Sequence, residues 1–146
     1  MESTPQLAAN VGLSYRSNNN IFLSADFNYY NNMYLSMSPI YRTDAVITTG
    51  MTAEDIAHLR RQEKFDSAYT LNASIGKNWY IHRQYTLGFS LEVKNILNNQ
   101  DIRTGGYEQT RLTKNTETTV TTYQAFDSKY FYMFGTTYYL NLYFRF

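Results

Sequence analysis

The sequence predicts an all-β protein, namely an antiparallel meander of about five long strands from the C-terminal end of a transmembrane β-barrel, with a short helix in one long loop. Three observations predict this class. Apolar and polar side chains alternate with period two along several segments, which gives each strand one apolar face. Short and long connections alternate between these segments, as they do in outer-membrane barrels. Aromatic residues make up 17% of the 146 residues, including 15 tyrosines, and this composition is typical of strands.

Five segments share the period-two pattern and are the predicted strands: 6–16, 21–37, 66–76, 85–94 and 138–146. Short turns over 17–20 and 77–83 and long connections over 38–64 and 95–127 join them. In the first long connection, residues 52–61 predict a short helix with Thr52 as its N-cap. In the second, Gly105-Gly106 predicts a turn, and the threonine-rich span 110–122 predicts a solvated loop or a mobile lid.

The distribution of charge indicates which strand face meets lipid. The apolar parity of the predicted strands carries no charged residue, and the other parity carries all of them: Arg16, Asp26, Asp66, Glu92, Lys94 and Arg145. That polar parity is otherwise rich in Ser, Thr, Asn, Gly and Ala, which suit the wet interior of a membrane barrel. We therefore expect the apolar parity to face lipid. Alternation alone does not say which face is inside, so the alternative is a soluble or small β-barrel module that binds a ligand.

The last predicted strand presents an apolar stripe on one parity: Tyr138, Leu140, Leu142, Phe144 and Phe146. An exposed strand edge can be captured by β-augmentation, in which alternate side chains provide specificity. We predict that this stripe is the assembly signal read by the outer-membrane insertion machinery.

Residues 1–5 lack the basic and apolar regions of a secretory signal. An outer-membrane protein needs such a signal. If the barrel interpretation is right, we expect residues 1–146 to be the C-terminal part of a longer barrel protein, without its signal peptide.

Several other functions are disfavoured by composition. A net charge of +1 gives no basic field for nucleic acid. The chain has no cysteine, and no cluster of His, Asp and Glu has ligand spacing, so we expect no metal and no cofactor. The two histidines, His58 and His82, have no serine nucleophile at a readable spacing, so we expect no enzyme activity and no catalytic residues.

If this segment touches a substrate, the contacts should come from the long connections. The aromatic and cationic candidates there are Tyr41, Arg42, Arg103, Tyr107 and Arg111. Aromatic faces with a few charges suit glycans, peptides and iron chelates alike, so the sequence does not choose among them.

Several stretches of the chain resemble the C-terminal barrel of TonB-dependent outer-membrane receptors. These are residues 27–34, the following Ser-Met-Ser-Pro at 36–39 with Arg-Thr at 42–43, the strand exit 91–99 with Asn-Ile-Leu-Asn at 95–98, residues 105–109 and the closing 138–146. The resemblance implies a bacterial outer-membrane barrel of roughly 22 strands, occluded by a plug, that imports a nutrient. Its implied partners are membrane lipid, the remaining barrel and plug, the insertion machinery, and an inner-membrane energy-coupling complex that acts through the missing N-terminal part.

Overall fold

A computed structural model describes residues 4–43, 51–82, 84–114, 117 and 121–146. These residues form seven strands, an eight-residue α-helix and a 3-10 turn at Pro39–Tyr41. The elements are β1 (Leu7–Arg16), β2 (Ile21–Asn31), α1 (Ala53–Arg60), β3 (Ala68–Ile81), β4 (Tyr85–Lys94), β5 (Arg103–Lys114), β6 (Thr121–Tyr132) and β7 (Thr137–Arg145). No helix among the described residues is long and apolar enough to cross a membrane.

The strands form two antiparallel sheets. Five of them follow one another in the order β1-β2-β3-β4-β7, and β5 pairs with β6 as a separate hairpin. The all-β class and the meander of five long strands are therefore confirmed, and the short helix occurs in the first long connection as predicted. The chain divides into two compact units, which we call the sheet unit (Leu7–Asn31, Ser67–Ile102, Met133–Phe146) and the loop unit (Met1–Gln6, Asn32–Asp66, Arg103–Tyr132).

The register of the sheet unit gathers the apolar parity of all five strands on one face. One row across the sheet is wholly apolar: Tyr15, Leu23, Ile75, Leu91 and Leu140. The adjacent row on the opposite face begins with three serines: Ser14, Ser24, Ser74, Glu92 and Tyr139. Because side chains alternate across a strand, this register produces one continuous apolar face and one polar face.

The polar face is tied together by side-chain hydrogen bonds across strands. Asn10 donates to Asn28 at 2.8 Å, Asn28 donates to Thr70 at 3.3 Å, and the hydroxyls of Ser24 and Ser74 lie 2.8 Å apart. Cross-strand pairs of this kind are the unit of sheet stabilisation.

An aromatic ring also lies on the polar face. The ring of Phe22 covers Gly76, where an added Cβ would lie 2.0 Å from the ring and 2.7 Å from the Phe89 carbonyl oxygen. Only glycine leaves room for the ring to lie this close to the backbone.

Neighbouring strands are staggered along the sheet. β3 pairs with β2 from Ala68 to Lys77, but it pairs with β4 only from Ala73 to Ile81. Each strand therefore extends past its neighbour in one direction. A stagger of this kind is what allows a sheet to close into a barrel with tilted strands.

The predicted turn over 77–83 is wrong, because β3 continues to Ile81 and the turn lies near His82, which has a φ of 52°. Lys77 explains the difference, because it places a cation on the otherwise apolar parity and so interrupts the sequence pattern of the strand. Its ammonium lies 5.3 Å from the centre of the Trp79 ring, so its stem lies along the apolar face. The expectation of a charge-free apolar parity therefore fails at this position of β3.

Two further features of the chain differ from the prediction. β2 ends at Asn31 rather than near Met37, because Asn32 adopts a φ of 53° and leaves the strand. The long connection 95–127 contains the β5–β6 hairpin, and the threonine-rich span 110–122 contributes residues to both of its strands. The sequence pattern does not predict this hairpin, because both faces of its strands carry polar residues. A strand without an apolar face shows no period-two alternation of hydrophobicity.

Gly105-Gly106 lies within β5 and is not the turn that was predicted. Gly106 has a φ of 151°, and a Cβ there would lie 2.1 Å from the Lys129 carbonyl oxygen. The register of the hairpin shifts between Arg103 and Gly105. The two glycines therefore accommodate a local irregularity of the strand pair.

A buried asparagine ends β4 and connects three parts of the sheet unit. Asn95 is 4% exposed and has a φ of 52°, a left-handed conformation that asparagine tolerates better than most residues. Its amide nitrogen donates to the carbonyl oxygens of Asn99 at 3.0 Å and Phe134 at 3.1 Å. Its side-chain oxygen accepts from the backbone N–H of Asn99 at 3.1 Å. One side chain thus holds the turn after β4 against the segment that leads into β7.

The backbone N–H and carbonyl of Asn95 are also hydrogen-bonded. Its N–H donates to the side-chain oxygen of Asn72 in β3 at 3.0 Å, and its carbonyl accepts from the Thr136 hydroxyl at 2.8 Å. The next residue, Ile96, donates its N–H to the Leu71 carbonyl at 2.8 Å. The Asn-Ile-Leu-Asn segment is therefore a structural junction between the ends of β3, β4 and β7.

Replacing Asn95 by aspartate should destabilise the sheet unit by about 3 kcal/mol, because the carbonyls of Asn99 and Phe134 lose their donor and face a carboxylate at a buried position. Asn98→Asp is the matched control, because Asn98 also has a positive φ, 50°. Its side-chain oxygen accepts from the Thr136 N–H and the Gln100 amide, and a carboxylate oxygen can accept the same hydrogen bonds. Denaturant unfolding in detergent micelles measures both variants. Equal unfolding midpoints for the two variants would contradict the junction role of Asn95.

Candidate functional site

The loop unit has its own small core. Its buried apolar side chains are Met33, Leu35, Leu59 and Phe65. Residues on either side of α1 pair with each other, since Leu35 donates its N–H to Glu63 at 2.9 Å and Phe65 donates to Met33 at 2.8 Å. These contacts fix the helix and the 3-10 turn on a defined framework within this unit.

The helix α1 begins with a capping box, as predicted from Thr52. The Asp55 N–H donates to the Thr52 hydroxyl oxygen at 3.1 Å, and the Thr52 N–H donates to the Asp55 carboxylate at 2.9 Å. Hydrogen bonds from the hydroxyl and from the backbone N–H of Thr52 stabilise the Asp55 carboxylate. They lower the pKa of Asp55 below its ordinary value. The reciprocal cap stabilises a helix too short to persist alone.

Two adjoining concavities of the loop unit form what we call the β5 groove. They share Glu108, Gln109, Thr110 and Phe126 and have volumes of about 660 and 430 Å³. The 3-10 turn and Tyr107 border the larger concavity, and residues 58–64 at the end of α1 border the smaller one. Of the candidate residues named from the sequence, Tyr41, Tyr107 and Arg111 line the larger concavity and Arg42 lines the smaller.

Arg42 is engaged in an internal ion pair. Its guanidinium donates to both carboxylate oxygens of Glu108 at 2.8 Å and to the Ser38 carbonyl at 2.8 Å. The two side chains are only 16% and 14% exposed. Paired charges in such surroundings are strongly coupled, because loss of one leaves the other desolvated and unpaired. Arg42 therefore holds the 3-10 turn against β5 and is not a free contact for a substrate.

Arg103 is also held within the loop unit. Its guanidinium carbon lies 4.3 Å from the centre of the Tyr130 ring, and its nitrogen lies 3.5 Å from a Glu63 carboxylate oxygen. The Tyr130 hydroxyl donates to the same Glu63 oxygen at 2.6 Å. That hydrogen bond to a carboxylate, with partial burial, raises the pKa of Tyr130 above its ordinary value. The three residues form a packed cluster, in which Arg103 has a structural role.

Tyr107 and Arg111 are exposed at the groove. Tyr107 packs against Phe131 with ring centres 6.3 Å apart, and the guanidinium carbon of Arg111 lies 5.9 Å from the centre of the Phe126 ring. Tyr41 is half-buried on the opposite border. The structure thus brings together three candidates that are up to 70 positions apart in the sequence.

Sequence reasoning missed the other charged residues of the groove. Arg61, Lys64 and Asp127 line its smaller concavity. Nothing in the sequence except their charge indicates that these residues belong to a site. Only the pairing of β5 with β6 and the position of α1 bring them together.

The predicted assembly stripe lies on the edge strand β7. Tyr138, Leu140, Leu142 and Phe144 share the apolar face, and Leu140 is 60% exposed. Phe146 follows the strand and is 92% exposed, with its ring 6.4 Å from that of Phe144. Within the described chain β7 pairs only with β4, so its other edge has free backbone groups.

The two histidines belong to different elements of the described chain. His58 lies in α1 and His82 in the turn after β3, in different units. No group of three or more His, Asp or Glu side chains in the described ranges could hold a metal ion.

Comparison with known proteins adds no relative: no family model, no curated protein sequence and no solved structure significantly matches this chain. The function is therefore inferred from the geometry of the two units, each taken by itself.

Replacing Arg42 by methionine should destabilise the loop unit by about 3–5 kcal/mol, because it leaves the Glu108 carboxylate largely buried without its partner. Lys94→Met is the matched control, since Lys94 and Glu92 are 3.5 Å apart but 62% and 44% exposed, and an exposed pair contributes at most about 1 kcal/mol. Thermal unfolding and hydrogen exchange of the loop-unit amides measure both. Equal losses would contradict the proposed difference, and adding Glu108→Met to the Arg42 variant should restore much of the stability.

Proposed function

We propose that this chain is part of the membrane barrel of a TonB-dependent transporter for nutrient uptake in a bacterial outer membrane. The observation that carries the proposal is the continuous apolar face of the sheet unit. On that face Val11 and Leu13 of the edge strand β1 and Leu140 and Leu142 of the edge strand β7 are at least 60% exposed. On the strands between them, Leu23, Ile75 and Leu87 are at least 41% exposed. A soluble protein rarely leaves so many neighbouring aliphatic side chains in water. Lipid is the solvent that suits such a face.

The chemistry of the opposite face supports the same proposal. Small hydroxyl and amide side chains hydrogen-bond across β1, β2 and β3 there. A wet barrel interior has this character, whereas the exterior of a soluble sheet is usually covered by lysine and glutamate. The stagger between β2, β3 and β4 also matches what a closed barrel requires.

Aromatic residues and connection lengths add further support. Tyr29 pairs with Tyr69 at the end of the sheet where the long connections leave. Trp79, Tyr85 and Phe144 lie near the end with the short turns. Membrane barrels carry aromatic girdles at both interfaces, and their long loops leave at one end. In the proposed barrel the long connections are extracellular and the short turns periplasmic.

The single tryptophan of the chain provides the test of the lipid-facing assignment. Trp79 shares the apolar parity with Leu87 and Phe144. In vesicles of brominated phospholipid its fluorescence should be quenched, because bromine quenches on contact. In Trp79→Phe/Tyr139→Trp the indole moves to the polar parity and should be protected from quenching. Equal quenching of both proteins would contradict the face assignment.

The same experiment separates the membrane barrel from the soluble alternative. A soluble ligand-binding module would hold the apolar face inside, stay monodisperse in buffer without detergent and show no quenching with either indole. That outcome would replace the transporter proposal by the alternative.

The proposed role of the terminal stripe is recognition during barrel assembly. The free edge of β7 suits capture by strand addition, with the side chains of Tyr138, Leu140, Leu142, Phe144 and Phe146 read along one face. The remaining barrel, the plug and the inner-membrane energy-coupling complex are the further partners that the proposal requires.

Deleting Phe146 should slow insertion of the barrel into the outer membrane and leave protease-sensitive precursor in the periplasm. The folded barrel should lose at most the burial of one ring, roughly 2–3 kcal/mol. Pulse-chase labelling measures the insertion rate, and Phe146→Trp, which keeps an aromatic ring, is the control. If the deletion variant inserts at the normal rate and only the folded stability falls, Phe146 is an interfacial anchor and not part of a signal.

A further inference from the structure

The β5 groove has an excess of unpaired positive charge. Arg61, Lys64 and Arg111 line it, and none of them has a carboxylate partner among the described residues. The groove carboxylates of Glu63 and Glu108 are already paired, with Arg103 and Arg42 respectively. Asp127 is the remaining acid of the lining. The groove therefore favours an anionic ligand.

The larger concavity adds flat apolar surfaces beside one of these cations. Tyr107 and Tyr41 present aromatic rings to it, and Arg111 is oriented over the Phe126 ring. A guanidinium stacked on a ring keeps the N–H groups at its edge free for a carboxylate. Aromatic surfaces beside a few oriented polar groups are typical of sites for ring-shaped ligands.

The backbone of β5 beside Tyr107 is not free for strand addition. Ser36 forms a parallel bridge to Tyr107, so the edge of β5 is occupied at this residue within the loop unit. A peptide that adds as a strand needs free backbone donors and acceptors. At Tyr107 recognition therefore falls to side chains, and the larger concavity offers the rings, Arg111, and the hydroxyl and amide groups of Ser36, Ser38 and Gln109.

We propose that the β5 groove binds an acidic oligosaccharide, with a sugar ring against Tyr107 and a sugar carboxylate on Arg111. The inference deepens the proposed transport function, on which it rests for the role of the ligand as cargo, by naming the substrate class. The second pair of cations, Arg61 and Lys64, lines the adjoining concavity, which shares four lining residues with the larger one, and would engage a neighbouring acidic unit.

Calorimetric titration of the full chain in detergent micelles tests the ligand class. The probes are trigalacturonic acid, a neutral galactose trisaccharide of the same length, and a glutamate-rich hexapeptide. We expect the acidic trisaccharide to bind, the neutral one to bind at least about tenfold more weakly, and added salt to weaken the acidic ligand. Binding of the hexapeptide without the trisaccharide would identify a peptide site, and equal affinity for the two trisaccharides, or no binding of any probe, would overturn the proposal.

Matched variants then test the residues. Arg111→Gln should weaken the acidic trisaccharide about tenfold, because a charge-assisted hydrogen bond is lost. Tyr107→Ala should weaken both trisaccharides. Lys94→Gln, which removes an exposed cation of the sheet unit, should change neither affinity. Unchanged binding in the Arg111 and Tyr107 variants would overturn the assignment of the groove, even if the chain binds saccharide elsewhere.

The result is separable from that of the membrane proposal. Quenching of Trp79 by brominated lipid reports on the sheet unit, whereas the titration reports on residues of the loop unit. A protein that is quenched as expected but ignores acidic saccharides keeps its membrane assignment and loses this substrate class.

Discussion

The sheet unit depends on the register between β3, β4 and β7. Side chains in a strand alternate between faces, so a slip of one residue in β4 would place Ser90 or Glu92 opposite Ile75 and reverse every side chain of the strand. The Asn95 junction opposes such a slip, because its donors and acceptors fit partners in β3 and before β7 only at one position. The same junction allows β7 to join β4 directly although 42 residues separate these strands. The continuous apolar face therefore depends on one turn that is anchored by a buried asparagine.

Much of the sheet could be predicted from sequence because its strands are amphipathic. The meander and the α1 cap follow from alternation and from Thr52, both of which are local signals. Lys77 shows where local reading fails, since its charge ends the pattern although its stem can lie along Trp79 while the strand continues. Prediction of the β5–β6 hairpin from sequence fails for a different reason. Its strands have no apolar parity, and contacts far apart in sequence, such as Leu35 against Gly106, support it.

The groove was only partly predictable, for a related reason. Residue type identified Tyr41, Tyr107 and Arg111, because exposed aromatics and arginines in long connections suit recognition. Residue type also selected Arg42 and Arg103, and it could not reveal that Glu108 and Glu63 neutralise them. Ion pairing is decided by three-dimensional neighbours, whereas the sequence only counts the charges. The structure is therefore needed to distinguish the unpaired cations of the groove from the arginines that are already paired.

The two units solve different physical problems, and this difference explains where variation can be tolerated. The sheet unit leaves its aliphatic side chains exposed and relies on backbone pairing, register and the Asn95 junction. The loop unit buries Leu35, Leu59 and Phe65 and ties its turns with the Arg42–Glu108 pair. Residues that line the groove without belonging to either the core or the pair, such as Tyr41 and Arg111, carry little of this stability. Their identity can change while the framework stays intact, which is the condition under which a recognition surface can be adapted to a new ligand.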